Sequence, residues 1–129
     1  MVGQSHRVQI RHILVDNEEI ASMIKEAIES AKTHTARVQM LMKLAPKYSF
    51  CKSKDDGGNL GWLEMASDDP RKINYKPVFE NVELEKLVRE GIAKRTFVKE
   101  KIFGPIQTDQ GYHLVMISNQ FGEKLHETF

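Results

Sequence analysis

Two histidines stand out because each sits on a face otherwise built for burial. His12 lies in Arg7 to Val15 and shares one side with Val8, Ile10 and Leu14, while His113 shares its side with Val115 and Ile117. A buried imidazole needs a hydrogen-bond partner, since an unpaired polar group in the interior costs free energy. In its neutral form it carries one donor and one acceptor, so it supplies polarity without a buried charge. Cys51, the only cysteine, opens a polar, glycine-bearing stretch ending at Gly58. Taken singly, His12 reads as a hydrogen-bonded core residue and Cys51 as a small buried hydrophobe. A thiol hydrolase built on Cys51 and a histidine is one candidate chemistry, but no helix N-terminus is evident beside Cys51 to lower its pKa. None of the five histidines is paired at metal-ligand spacing. Gly57, Gly58 and Gly61 lack a following P-loop lysine and fit a tight backbone turn rather than a phosphate cradle.

The elements that hold these residues follow from periodicity. Arg7 to Val15 alternates and is rich in β-branched residues, which predicts a strand. Asp16 with Glu19 three residues on gives a capping-box pattern, and Ile20, Ile24, Ala27, Ile28 and Ala31 follow at helical spacing to about Lys32. His34 and Thr35 interrupt the pattern. Val38, Leu41, Met42 and Ala45 then mark a second helix that Pro46 should kink or end. Cys51 to Gly58 reads as a loop, Asn59 to Glu64 as a short strand with Trp62 a core residue, and Ala66 to Lys76 as an irregular excursion. A third helix runs from about Pro77 to Arg89, with Glu80, Glu83 and Glu85 early, Lys86 and Arg89 late, and Gly91 at the stop. Phe97 to Gln107 includes a strand, Thr108 to Gly111 a turn, Tyr112 to Ser118 the last strand, and Asn119 to Phe129 a tail. Strands from both ends of the chain pair in the middle of one sheet with helices around it: an α+β domain.

The bulk numbers fit one domain. The chain has 129 residues, 40% of them hydrophobic, and 19 Lys+Arg against 18 Asp+Glu, for a net charge of +1. Such a balance argues against a general polyanion binder. Charge is locally uneven: acidic over Asp16 to Glu19, basic over Arg71 to Lys76 and Lys94 to Lys101. A lone thiol fits a reducing compartment. Met1 to Arg11 has no apolar run long enough for a signal peptide, and no segment approaches membrane-spanning length.

Three segments, in order, resemble the parvulin-type peptidyl-prolyl cis/trans isomerases, or rotamases. They are Arg11-His12-Ile13-Leu14-Val15, then Leu44 to Cys51 continuing to Gly57-Gly58-Asn59-Leu60-Gly61-Trp62, then Gly104 to Leu114. The resemblance covers residues 7–118, leaving 1–6 as an N-terminal extension and 119–129 as a tail. It implies a parvulin-like single domain, a four-stranded, mostly antiparallel sheet surrounded by three to four helices. It also implies that His12 and His113 lie side by side at the floor of the active site, in a network with Thr108 and Cys51. Leu60 and Phe79 would line the proline pocket, with Tyr75 near where many members carry a methionine and Gln110 among the substrate-binding residues. The implied partners are proline-containing peptides or proteins, with no metal, cofactor, nucleic acid or membrane, the domain acting as a monomer in the cytoplasm or another reducing compartment such as a plastid.

The implied chemistry is consistent with the residues. A prolyl bond resists rotation through C–N double-bond character, a barrier of roughly 18–20 kcal/mol. A catalyst must therefore bind the twisted amide better than either planar form. Such a site calls for an apolar slot, a dry environment and adaptable polar groups. The chain departs from the family pattern in two basic insertions, at 66–76 with Arg71, Lys72 and Lys76, and at 92–103 with Lys94, Arg95, Lys99 and Lys101; both are expected to flank the substrate groove. Phosphorylation-dependent members carry a basic cluster right after the first strand, where this chain has Asp16-Asn17-Glu18-Glu19, so the non-phospho-specific subtype is expected. A non-catalytic peptide-binding or chaperone module using the same groove is the rival reading.

Overall fold

Alternation puts Val8, Ile10 and His12 on one face of the first strand and Ile13 and Val15 on the other, and both faces are buried. The computed structural model describes residues 6–65 and 78–122. Its elements are β1 (Arg7–Val15), α1 (Glu18–Glu29), α2 (His34–Tyr48), a 3-10 helix (Lys52–Asp56), β2 (Asn59–Glu64), α3 (Val82–Ala93), β3 (Phe103–Thr108) and β4 (Gly111–Phe121). The strand order is β2-β1-β4-β3, and every pairing is antiparallel. The strands from the two ends of the chain do form the centre, as the α+β reading requires. None of the described helices is long and apolar enough to cross a membrane.

Two cores flank the sheet. On one face Ile13, Val15, Leu114 and Met116 pack on Ala21, Ile24 and Ile28 of α1 and Leu41 and Ala45 of α2. On the other, Val8, Ile10, Val115 and Ile117 pack on Leu84 and Val88 of α3, together with Phe79 and Phe97. His12 and His113 belong to this second face by alternation. Trp62 lies outside both cores: it is 37% exposed and stacks on Phe121 at 5.3 Å.

Several element boundaries correct the sequence reading. The N-cap of α1 is Asn17, not Asp16, and its Oδ1 accepts from the N–H groups of Glu19 and Ile20; the helix ends at Glu29 rather than Lys32. Thr33 caps α2, so His34 and Thr35 open that helix instead of interrupting it. Pro46 does not end it: the helix runs two residues further, to Tyr48, with Leu41 and Ala45 buried. The loop at 52–56 is a 3-10 helix, and α3 starts at Val82, capped by Asn81, rather than at Pro77. Gly91 is not its stop. A Cβ there would meet Phe103 at 2.8 Å, and the helix closes two residues later with Arg95 in the left-handed region and Thr96 N–H on the Gly91 carbonyl. Finally, Asn119 to Phe121 is strand, paired with Gln9 to Arg7, rather than tail.

Candidate active site

His12 pairs across the sheet with Val115, and His113 with Leu14, so the two histidines are diagonal neighbours on one face of the central strands. Their rings stack at 5.2 Å, 18° from parallel, with Nδ1 to Nδ1 at 3.2 Å. Both are buried. His113 Nε2 lies 2.7 Å from Thr108 Oγ1, the hydroxyl at the start of the two-residue turn between β3 and β4. Burial pushes both imidazoles well below the ordinary value: His12 to about 3, helped by the adjacent His113, and His113 to about 4, against a weak opposing pull from Asp109. Both are neutral at pH 7. His12 Nε2 is buried with no hydrogen-bond partner among the described residues.

The free edge of β1 brings Cys51 to this pair. Beyond Arg11, β2 no longer pairs, and the chain from Ser49 to Gly58 takes its place: His12 N–H donates to Gly58 O at 2.9 Å, Leu14 N–H to Ser49 Oγ, and Phe50 N–H to Leu14 O. Gly58 is required there, since its φ is +78° and a Cβ would sit 2.3 Å from the His12 carbonyl. From the opposite face Arg11 clamps the 3-10 helix by donating to the Asp56 and Gly57 carbonyls. Where β2 does pair, Ile10 faces Gly61 and Arg11 faces Asn59, so Leu60 is the extra residue of a bulge. Simple alternation would send Leu60 to the side of Trp62; the bulge re-aims it beside Phe79.

The result is a cleft of about 290 Å³ that holds His12, Cys51, Leu60, Phe79 and Gln110, with Lys52, Asp56 and Glu80 at its rim. His113 and Thr108 stand behind His12. Tyr75, and the basic residues Arg71, Lys72 and Lys76, lie outside the described residues. The second basic insertion is not at the cleft: Arg37 near the start of α2 donates to the Glu100 carbonyl, and Lys99 lies by His34. That is the end of α2 opposite Cys51, which corrects the expectation that this loop flanks the groove. Among the described residues no imidazole hydrogen-bonds to the Cys51 sulfur, and no group of three or more His, Cys, Asp or Glu is placed to hold a metal.

Two residues that shape the site were missed from sequence. Glu85 reads there only as an early-helix acid that suits the dipole; it is 5% exposed, and its Oε1 accepts from the Val78 and Phe79 N–H groups at 2.8 Å while Oε2 faces Arg89 at 3.1 Å. The i,i+4 spacing to Arg89 is the one signal that marks it. Asn81 caps α3 through Oδ1 and donates from Nδ2 to Thr108 Oγ1 and Gln110 Oε1. Only its N-cap chemistry is visible in sequence.

The family model for rotamases, the PPIC-type PPIASE domain, matches residues 12–119. A chloroplastic rhodanese-like/PpiC domain-containing protein 12 of Arabidopsis thaliana is 28% identical over 88 residues, which is 66% of this chain and 26% of that protein. One of two SurA-like chaperones of Campylobacter jejuni superposes with a TM-score of 0.64 at 25% identity, over 91% of this chain and 40% of that one. NmPin, the parvulin of Nitrosopumilus maritimus, superposes at 0.54 and 25% identity, over 93% of this chain and all of its own. This chain therefore spans well under half of the chloroplastic and SurA-like relatives and the full length of the archaeal one. Matched over most of its length by the family model, and folded like a free-standing parvulin, the chain belongs to the PPIC-type rotamase family.

Proposed function

We propose that the cleft takes an X-Pro segment of a protein substrate, seats the proline ring against Leu60 and Phe79, and accelerates rotation about the peptide bond before it, with no requirement for phosphate on X. The observation that carries this is the pair of neutral, mutually hydrogen-bonded imidazoles, His12 lining an apolar cleft and His113 behind it. No covalent bond breaks in the reaction, so nothing in it needs a charged base or a nucleophile; a site that favours the twisted amide suffices. His12 touches the substrate, and His113 and Thr108 hold it in place. Cys51 sets polarity at the wall.

Phosphate independence is supported by the charges near the site. Among the described residues the rim carries Asp56 and Glu80 against one ammonium, Lys52, which Glu80 already engages. The first turn after β1 adds Glu18 and Glu19. The near-zero net charge supports a domain that works on polypeptide rather than on nucleic acid or membrane. Family members occur in chloroplast and periplasm, and the lone cysteine together with the chloroplastic relative supports a reducing organelle such as a plastid.

Exchange NMR on an Ala-Pro peptide, with protein at catalytic amounts, tests the reading. Faster cis/trans exchange supports it. The likeness to SurA-like chaperones favours a second reading, a binder without turnover; peptide-induced shifts at the cleft with no faster exchange would select that one, and neither effect would remove both.

A further inference from the structure

Three hydrogen bonds meet at Thr108 Oγ1: from Asn81 Nδ2 at 3.1 Å, from Gln110 N–H at 3.2 Å, and with His113 Nε2 at 2.7 Å. A threonine hydroxyl offers two lone pairs and one proton. The orientation of the Asn81 amide is fixed by other contacts, because its Oδ1 accepts from Leu84 N–H at 2.9 Å and its Nδ2 also donates to Gln110 Oε1 at 2.8 Å. Two N–H donors therefore fill both lone pairs of Thr108, and its proton is left for His113. His113 Nε2 must accept, which puts the ring proton on Nδ1. That proton goes to His12 Nδ1, and the proton of His12 is then on Nε2, the buried nitrogen with no partner among the described residues.

We propose that Asn81 is a positioning residue that sets the direction of this hydrogen-bond chain and so makes His12 Nε2, a buried nitrogen on a ring that lines the cleft, a donor. The last link rests on the isomerase reading; the direction of the chain does not. A donor suits amide rotation at one substrate atom in particular. The prolyl nitrogen becomes an acceptor only as the amide twists and its lone pair leaves conjugation. A donor aimed at it therefore binds the transition state better than either planar form. Asn81 also lines the cleft, but it has no hydrogen bond to His12 and acts on that ring through Thr108 and His113.

The test is the tautomeric state of the two rings, read from long-range ¹H–¹⁵N correlations at about pH 8, well above the ordinary imidazole pKa. In the unsubstituted protein His113 should carry its proton on Nδ1 and His12 on Nε2. Asn81→Asp keeps the acceptor for Leu84 N–H, so α3 remains capped, but it has no N–H to give. Thr108 should then donate to the new carboxylate, His113 should donate from Nε2 to Thr108, and both tautomers should swap. His12 Nε2 becomes an acceptor, and exchange of an Ala-Pro peptide should slow about tenfold, as for one lost positioned hydrogen bond. A reversed pattern in the unsubstituted protein overturns the proposal, whether or not the variant folds. So does an unchanged pattern in Asn81→Asp, since a merely structural role would lower stability without moving a proton. The expected tautomers in a protein with no rotamase activity would uphold the direction of the chain and remove the isomerase reading alone.

Discussion

The Phe79 N–H donates to Glu85 Oε1 at 2.8 Å, and the N–H of Val78 donates to the same oxygen, so one buried carboxylate fixes the backbone that presents the back wall of the cleft. Glu85 is in turn held by Arg89 through Nε and Nη2, both 3.1 Å from its other oxygen. The turn before α3 is thereby tied to the helix by charge as well as by its asparagine cap.

Glu85→Ala should consequently do two things. It leaves the Val78 and Phe79 N–H groups without their acceptor and takes the carboxylate from Arg89, which keeps its bond to the Glu64 carbonyl, and this should destabilise the fold by about 3 kcal/mol. It also frees the backbone at Phe79, so affinity for a proline peptide should fall even at temperatures where the variant remains folded. Urea unfolding and a peptide titration measure the two effects separately. Unchanged peptide affinity in folded Glu85→Ala would show that Phe79 is held by packing alone.

The histidines should matter to stability as well as to turnover. Replacing His12 by alanine leaves His113 Nδ1 without its partner in the interior, and the reverse holds for His113→Ala; each should cost about 1–3 kcal/mol. Cys51 is half-buried with no sulfur hydrogen bond to either ring, so Cys51→Ala should melt within a few degrees of the parent and retain most of its turnover. Calorimetry beside an exchange assay on all three variants checks this. Complete loss of turnover in Cys51→Ala would reopen thiol chemistry.

Much of this arrangement is legible in the sequence because period-2 alternation is a strong signal. It puts His12 with Val8 and Ile10, and His113 with Val115 and Ile117, and both strands are found there. What alternation cannot supply is the aim of Leu60: by its period that residue belongs with Trp62, and only a bulge visible in the pairing register turns it to the cleft. Helix starts shifted because Asn17 rather than Asp16 caps α1, and because Thr33 and Asn81, which the sequence does not single out, cap α2 and α3. The sequence places Glu85 only as an early-helix acid, because nothing in a single sequence shows that two backbone N–H groups will be folded onto it.

Charge at the cleft mouth should set preference without touching the fold. Lys52 and Glu80 pair across the rim, and both are largely exposed. Lys52→Ala should leave the melting temperature unchanged and raise turnover of Lys-Pro relative to Glu-Pro peptides, since among the described lining residues it removes the ammonium that opposes Asp56 and Glu80. The difference should shrink in about 1 M salt, where the Debye length falls to roughly 3 Å. By the same logic a phosphoSer-Pro peptide should gain less than about tenfold over Ser-Pro, or roughly 1.4 kcal/mol. A larger gain in competition kinetics would contradict the phosphate-independent reading.

The neutral histidine pair carries a definite pH signature. In the unfolded chain His12 and His113 titrate near 6.5, whereas in the fold burial holds them to about 3 and about 4. Between pH 6.5 and about 4 the unfolded chain binds protons that the native state refuses, so stability rises with pH through that window and is flat above it. At pH 5 each ring should cost about 2 kcal/mol relative to pH 8. His34 adds to the slope in the same direction, because burial and Lys99 lower its pKa as well; a His34→Gln background separates its share. Urea midpoints at several pH values give the slope. In that background, replacing His12 should remove a large part of what remains, and rotamase turnover of the parent should stay level from about pH 6.5 upward. Stability that held constant down to pH 5 would mean that both rings take up protons in the fold as readily as in the unfolded chain, and the cleft floor would then be cationic rather than neutral at that pH.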